Sequence, residues 1–255
     1  MRTKRALYAL GGSAALALGT TSLFLAPASA QVRPSSVACN QTALVAAVNA
    51  ANAAGGGTVT LTPGCTYTLT GSNGNDLLNG PDGLPIITTP ITFSGNANVI
   101  TRASTAPAFR IVQVASTGGL TLDAVTLSGG DATSALNDDG GAILNFGAVT
   151  LTGSHLSGNA AGGLGGAVYS TGAAAAATFT SSTIGSNTAD QGAGIASVAG
   201  ALTITSSSVT ANAATADPGG IYFDTGTATL NTSSVTANTP TNCVGSPSPV
   251  PGCVS

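Results

Sequence analysis

Gly140-Gly141-Ala142-Ile143 is the first of four short rows that decide the fold of this chain. The other rows are Gly165-Gly166-Ala167-Val168, Gly192-Ala193-Gly194-Ile195 and Pro218-Gly219-Gly220-Ile221, and their closing apolar residues are spaced by 25, 27 and 26 positions. A second mark is an apolar residue that is followed three positions later by an asparagine. It occurs four times, and its asparagines, spaced by 28, 25 and 26 positions, are Asn159, Asn187, Asn212 and Asn238. Two marks with a common period indicate a stacked repeat over residues 140–238.

Short alternating segments such as Thr150-Leu151-Thr152 lie between the rows and are typical of half-buried strands. Only Gly, Asn, Ser and Ala separate them, which leaves no chain for the crossover helix of a βαβ unit. The chain must therefore coil directly from strand to strand, so that like residues stack at about 4.8 Å. The asparagines can then form an amide ladder. The sequence predicts an all-β parallel β-helix of about seven turns.

The glycine rows with a trailing apolar-x-x-Asn mark resemble the polymorphic outer membrane protein repeat, whose usual second mark is Phe-x-x-Asn. Here Leu156, Ile184, Val209 and Val235 take the Phe position. The resemblance covers about 100 residues by direct reading of the rows. With its predicted N-terminal helix and Cys39 and Cys65, the whole chain after residue 30 resembles secreted bacterial proteins of the pectate-lyase-like superfamily. That resemblance implies a right-handed parallel β-helix, a fold that carries lyases, hydrolases and adhesins alike.

The two ends of the chain differ from the repeats. Residues 1–30 have a basic start, an apolar run and the site Ala28-Ser29-Ala30, as in a secretory signal peptide. Residues 31–41 are interpreted as a linker and residues 42–255 as one domain. Thr42–Ala54 is predicted to be a helix, N-capped by Thr42, that covers the first edge of the stack. The proline-rich residues 239–255 are predicted to close the other end.

Composition restricts the partners. Without residues 1–30, the chain has nine aspartates, three arginines and no Lys or Glu, which gives a net charge of −6. Nucleic acids and anionic membranes are bound mainly through Lys and Arg, so neither is an expected partner. No second long apolar run follows residue 30, and no membrane span is expected. We expect an extracellular protein whose partner is a polysaccharide or a cell-envelope glycan; the sequence does not indicate its oligomeric state.

The four cysteines lie two near each end, which allows three pairings. We expect Cys39–Cys65 and Cys243–Cys253, because each bridge then ties one end of the stack. Disulfides are typical of exported chains. No cysteine or histidine cluster has the spacing of a zinc or iron site, so no transition-metal cofactor is expected.

A set of aspartates precedes the glycine rows and is the clearest candidate for catalysis: Asp138, Asp139, Asp190 and Asp217. Stacking predicts that they lie along one edge, where clustered carboxylates can hold Ca²⁺ or divide acid and base roles. Arg110 is expected near Asp139 and is the candidate base of a lyase or hydrolase acting on an acidic polysaccharide. Aspartate is also a common turn residue. The only histidine, His155, lies away from this edge and is interpreted as an exposed bystander.

Two further surfaces suggest binding without catalysis. Tyr169 and Tyr222 are equivalent positions two turns apart and are candidates for stacking on sugar rings. Outward threonines in Thr150-x-Thr152 and its equivalents form a ragged Thr-x-Thr array, which resembles ice-binding β-helices. Our first hypothesis is a secreted or surface-associated, non-catalytic structural, adhesive or glycan-binding protein. The polysaccharide enzyme and the ice-binding protein are the alternatives.

Overall fold

The computed structural model describes residues 36–254. Its one helix, α1, spans Gln41–Ala53. Asn40 is the N-cap, because its side chain accepts a hydrogen bond from the backbone N–H of Ala43 at 2.9 Å. The prediction that Thr42 caps the helix is therefore wrong by two positions. The predicted signal peptide and residues 31–35 of the predicted linker lie outside the described residues, whereas Val37 pairs with Leu61.

The strands follow α1 in chain order. They are β1 (Gly57–Thr60), β2 (Thr66–Leu69), β3 (Gly74–Asn75), β4 (Pro81–Asp82), β5 (Pro90–Arg102), β6 (Val112–Val114), β7 (Gly119–Ser128), β8 (Ile143–Asn145), β9 (Ala148–Thr152), β10 (His155–Ser157), β11 (Val168–Ser170), β12 (Ala176–Thr180), β13 (Thr183–Gly185), β14 (Thr188–Ala189), β15 (Ile195–Ser197), β16 (Ala201–Thr205), β17 (Ser208–Thr210), β18 (Ala213–Ala214), β19 (Ile221–Phe223), β20 (Thr227–Asn231) and β21 (Ser234–Thr236).

The strands stack in parallel into two main sheets. The larger sheet has 12 strands, which form seven levels from β1 and β2 to β20 and β21. The smaller sheet has five strands in the order β19, β15, β11, β8 and β6. Five turns therefore carry strands of both sheets, and the seven expected turns include two N-terminal levels that lack a strand of the smaller sheet. The fold is a β-solenoid, or parallel β-helix, as predicted.

Its core is built from columns of like residues. Leu122, Leu151, Phe179, Ile204 and Leu230 are in register, as their spacing predicts. The Asn159–Asn238 column forms the expected ladder: Asn187 Nδ2 donates to Asn212 Oδ1 at 2.9 Å, and the bonds above and below have the same length. Each amide also donates to backbone carbonyls at the bend of the coil. The ladder therefore satisfies buried backbone groups where the strands end.

The core is covered at both ends of the stack, and each end carries a disulfide bond. Leu44 and Val48 of α1 are fully buried against the first levels. The disulfides Cys39–Cys65 and Cys243–Cys253 confirm the predicted pairing. Within the described residues no helix has the length and hydrophobicity needed to cross a bilayer.

Candidate functional site

The four candidate aspartates do not form one cluster. Gly140 N–H donates to Leu164 O, and Leu164 pairs with Gln191 one turn further on. The turn that contains Leu164 therefore lies between the turn of Asp139 and the turn of Asp190. Asp139 Oδ1 accepts from the backbone N–H of Leu164 at 2.6 Å. Burial raises the pKa of Asp139, and the hydrogen bond from Leu164 opposes that rise.

The two later aspartates are exposed, and each contacts the loop of a neighbouring turn. Asp190 accepts a hydrogen bond from Thr215 Oγ1. The backbone carbonyl of Asp217 accepts from Gln191 Nε2 at 2.6 Å. No group of three or more carboxylate, histidine or cysteine side chains is placed to hold a metal ion within residues 36–254. The structure therefore shows Asp139, Asp190 and Asp217 in hydrogen bonds between the loops of successive turns.

Arg110 is fully buried and acts as a clamp between two loops. Its Nη1 donates to the carbonyl of Asn79 at 2.7 Å, and its Nη2 donates to the carbonyls of Asn137 and Asp139 at 2.6 and 3.1 Å. The guanidinium thus joins loop 71–83 to loop 131–139. It contacts the backbone of Asp139, as its predicted proximity suggests, but its carboxylate partner is Asp82 at 3.4 Å.

Sequence reasoning missed Asp82, although a signal was present. Asp82 precedes Arg110 by 28 residues, close to one repeat period, and both side chains are fully buried. Burial raises the pKa of Asp82 to about 7, even though the charge of Arg110 lowers it. Asp82 Oδ2 and Arg110 Nε have no hydrogen-bond partner. A fully buried pair cannot reach a polymer in solvent, so the clamp is structural.

Asp76 belongs to the same loop and stays ionised. Its partial burial alone would raise its pKa, but hydrogen bonds from Gln113 and Asn79 outweigh burial and lower the pKa to about 2. Gln113 Nε2 donates to Asp76 Oδ2 at 2.8 Å. The loop is therefore held against β6 as well as by Arg110.

The outer face of the smaller sheet is largely covered. Its outward positions, one per strand, are Gln113, Leu144, Tyr169, Ala196 and Tyr222. Gln113 is 4 % exposed, and Leu144 and Ala196 are fully buried, so no open groove follows this face. Tyr169 and Tyr222 are half-buried, with Ala196 between them, and burial raises the pKa of both. Both rings therefore offer only part of their surface to a ligand.

The larger sheet carries the most regular surface of the molecule, which we call the threonine face. One outward threonine occurs at each of its seven levels, in register: Thr58, Thr92, Thr121, Thr150, Thr178, Thr203 and Thr229. The next outward column holds Thr60, Ser94, Asp123, Thr152, Thr180, Thr205 and Asn231. The sequence suggested a threonine array, and the register adds two levels to it on the N-terminal side, those of Thr58 and Thr92.

A shallow trough runs beside the threonine column. It is floored by small residues in register: Pro90, Gly119, Ala148, Ala176 and Ala201. Two depressions, of about 310 and 490 Å³, follow one another along it. Because small side chains leave room next to a row of threonines, the trough runs parallel to the axis of the solenoid.

Charge is almost absent from the threonine face. Asp123 is the only ionisable residue in its columns, and His155 is exposed in a different column, aligned with Thr183 as predicted. Both arginines of the described residues are used internally: Arg102 donates to the carbonyls of Gly129 and Ala106 and pairs with Asp131 at 3.3 Å. The described surface therefore offers no free cation to an acidic polymer.

The fold and these surfaces define the protein as a parallel β-solenoid with a short N-terminal helix. No protein-family model, curated protein or solved structure matches the chain. The expected resemblance to polymorphic outer membrane protein repeats and to pectate-lyase-like proteins is therefore not supported by these comparisons, and the structure supports the β-solenoid fold alone.

Proposed function

We propose that this protein is an exported, non-catalytic binding protein whose threonine face adheres to a neutral, extended glycan. The observation that carries the proposal is the column from Thr58 to Thr229, which keeps one threonine at each of the seven levels of the larger sheet. The two disulfides and the signal-like residues 1–30 support export.

The geometry of the face suits a polymer better than a small molecule. Its hydroxyl groups repeat at about 4.8 Å along the axis and at about 6.6 Å across it. The trough beside them follows the axis past five successive small residues, from Pro90 to Ala201. Each hydroxyl contact contributes only about 0.5–1.5 kcal/mol net. Useful affinity therefore requires many contacts in a row, which an extended glycan supplies.

The charge of the face favours a neutral ligand. An acidic polysaccharide would meet Asp123 and no free arginine among the described residues. A neutral polymer avoids that repulsion and can exchange hydrogen bonds with threonine hydroxyls. This reasoning disfavours the lyase or hydrolase hypothesis, whose expected substrate is acidic.

Co-sedimentation with insoluble polysaccharides tests the proposal. The purified protein is mixed with cellulose, chitin, a β-glucan and, as an acidic comparison, pectate, and the bound fraction is measured against salt concentration. We expect binding to at least one neutral polymer that persists at high salt, because salt screens charges but not hydroxyl contacts.

Matched variants locate the surface. Thr150→Lys with Thr178→Lys places bulky charges in the middle of the threonine column and should abolish binding. Thr183→Lys with Ser208→Lys makes the same change on β13 and β17, outside that column, and should leave binding intact. Equal loss in both pairs, or no binding to any neutral polymer, would contradict the proposal.

Ice binding is the second candidate, and the uninterrupted threonine column favours it. The column and the trough beside it contain no aromatic residue to stack on a sugar ring. An ice-recrystallisation assay with the same variant pairs separates the two ligands. The face would be assigned to ice if the wild type inhibits ice recrystallisation, binds no polysaccharide, and loses the inhibition in the variant Thr150→Lys with Thr178→Lys.

A further inference from the structure

The last level of the larger sheet, strands β20 and β21, has a free backbone edge. In a parallel ladder, alternate residues direct both backbone groups to the same neighbouring strand. Thr227 N–H donates to Gly200 O, and Asn231 O accepts from Ser206 N–H, so these residues face β16. Ala228 and Leu230 therefore direct their N–H and C=O groups away from the stack. Within residues 36–254 no backbone group hydrogen-bonds to them on that side.

The C-terminal cap, residues 242–254, covers the smaller sheet and the core instead. Ile221 N–H donates to Asn242 O at 2.9 Å, and Ser248 N–H donates to Phe223 O at 3.0 Å, so the cap adds one level to β19. Val250 is 7 % exposed and packs on the core. The cap thus fills the interior of the next level, and its Gly252 lies against the outward side of Leu230, but within residues 36–254 no backbone hydrogen bond joins the cap to β20.

The edge is chemically suited to pairing. Natural edge strands are protected by lysine, proline or bulges. Strand β20, with the sequence Thr-Ala-Thr-Leu-Asn, has no charge and no proline. Two such edges can approach without electrostatic repulsion, and the outward groups of Ala228 and Leu230 are the donors and acceptors of a further strand.

At the opposite end, α1 covers the core through Leu44 and Val48, and the backbone N–H of Val37 already donates to Thr60 O at the edge of β1, so that end is closed to a further strand. Only like ends can meet. Contact between like ends is two-fold symmetric, pairs the strands antiparallel and closes at two copies.

We propose that a second copy of this chain is the partner that the β20 edge fits, and that the C-terminal cap is an autoinhibitory contact that keeps the copies apart. The interior of an incoming copy would occupy the level that Val250 and its neighbours fill. A two-fold axis normal to the sheet, midway between the two β20 strands and level with Thr229, leaves both threonine faces on one side. Pairing would therefore double the length of the threonine face, but the inference holds whether or not that face binds a ligand.

Sedimentation velocity over a range of protein concentrations tests the proposal. The wild type should sediment as one chain. An opened variant, Cys243→Ser and Cys253→Ser with Val250→Ser, releases the cap and should shift to the mass of two chains as concentration rises. Adding Ala228→Pro removes one outward N–H that the protein itself does not use and should return the opened variant to one chain.

The matched control is Cys39→Ser with Cys65→Ser, which breaks the other staple and leaves the cap in place; it should remain one chain. A wild type that already pairs, an opened variant that stays single with an unchanged β-sheet spectrum, or open-ended fibres would overturn the proposal. Pairing that survives Ala228→Pro would overturn it too. If the opened variant loses its β-sheet spectrum, the variant Cys243→Ser with Cys253→Ser, which keeps Val250, replaces it. Its mass in sedimentation velocity, one chain or two, then tests the proposal.

Discussion

Replacing Asn187 with alanine should expose how much of the stability depends on the asparagine ladder. The Asn187 side chain makes five hydrogen bonds: Nδ2 donates to Leu156 O, Gly185 O and Asn212 Oδ1, and Oδ1 accepts from the backbone N–H and Nδ2 of Asn159. The variant leaves the backbone N–H of Asn159 without an acceptor in a fully buried site. A buried unsatisfied group costs about 1–3 kcal/mol, and the lost bonds add about 1 kcal/mol or more.

We therefore expect Asn187→Ala to lower the free energy of unfolding by about 3 kcal/mol, which for a domain of this size lowers Tm by about 6–12 °C. Thermal melts followed by circular dichroism measure the change. Thr188→Ala is the matched control, because Thr188 is the next residue and its side chain is exposed. A Tm shift of Asn187→Ala no larger than that of Thr188→Ala would refute the ladder as a source of stability.

Three further predictions follow from buried groups. Burial raises the pKa of Asp82 to about 7, above its usual 3.8. Protonated Asp82 therefore contributes at most about 4 kcal/mol to the free energy of unfolding below pH ~4, and this contribution is lost as pH rises through 7. Urea unfolding across that range should show the decline, and Asp82→Asn should flatten it. Arg110→Met should cost about 3–5 kcal/mol, because it removes the partner of the buried Asp82 and the donors to the carbonyls of Asn79, Asn137 and Asp139. Urea unfolding of Arg110→Met with Asp82→Asn should recover part of that loss, and no recovery would contradict the pairing. Gly141→Ala would place a methyl group against the carbonyl of Ala160 and should lower Tm sharply, whereas Gly71→Ala meets no atom and should not.

The fold was predictable because each level repeats the same physical solution. The glycine rows fix the bends: Gly140, Gly165 and Gly192 have φ values of 69°, 70° and 55°, a region that costs glycine little. The asparagine and apolar columns fix the register of the strands between them. A signal repeated at each level survives local irregularity, and the disulfide pairing followed from the two ends of the stack.

The irregular loops were not predictable in the same way. Loop 71–83 and loop 131–139 have no periodicity, so the joint role of Asn79, Asn137 and Arg110 could not be inferred from spacing along one column. Arg110 was expected at the aspartate edge because of its proximity to Asp139 in the next turn. Its full burial, which makes it a clamp between two loops, depends on packing that only the assembled structure shows.

The threonine face differs from both cases, because folding does not require its uniformity. Threonine is a favourable outward strand residue, but the same preference acts on the neighbouring columns. The column of His155 contains Val99, Thr183 and Ser208 at equivalent levels, and the outward column of the smaller sheet mixes Gln, Leu, Tyr and Ala. Outward positions of this solenoid therefore tolerate different residues. The column that stays threonine through seven levels is therefore the observation on which we base the proposed contact with a repetitive ligand.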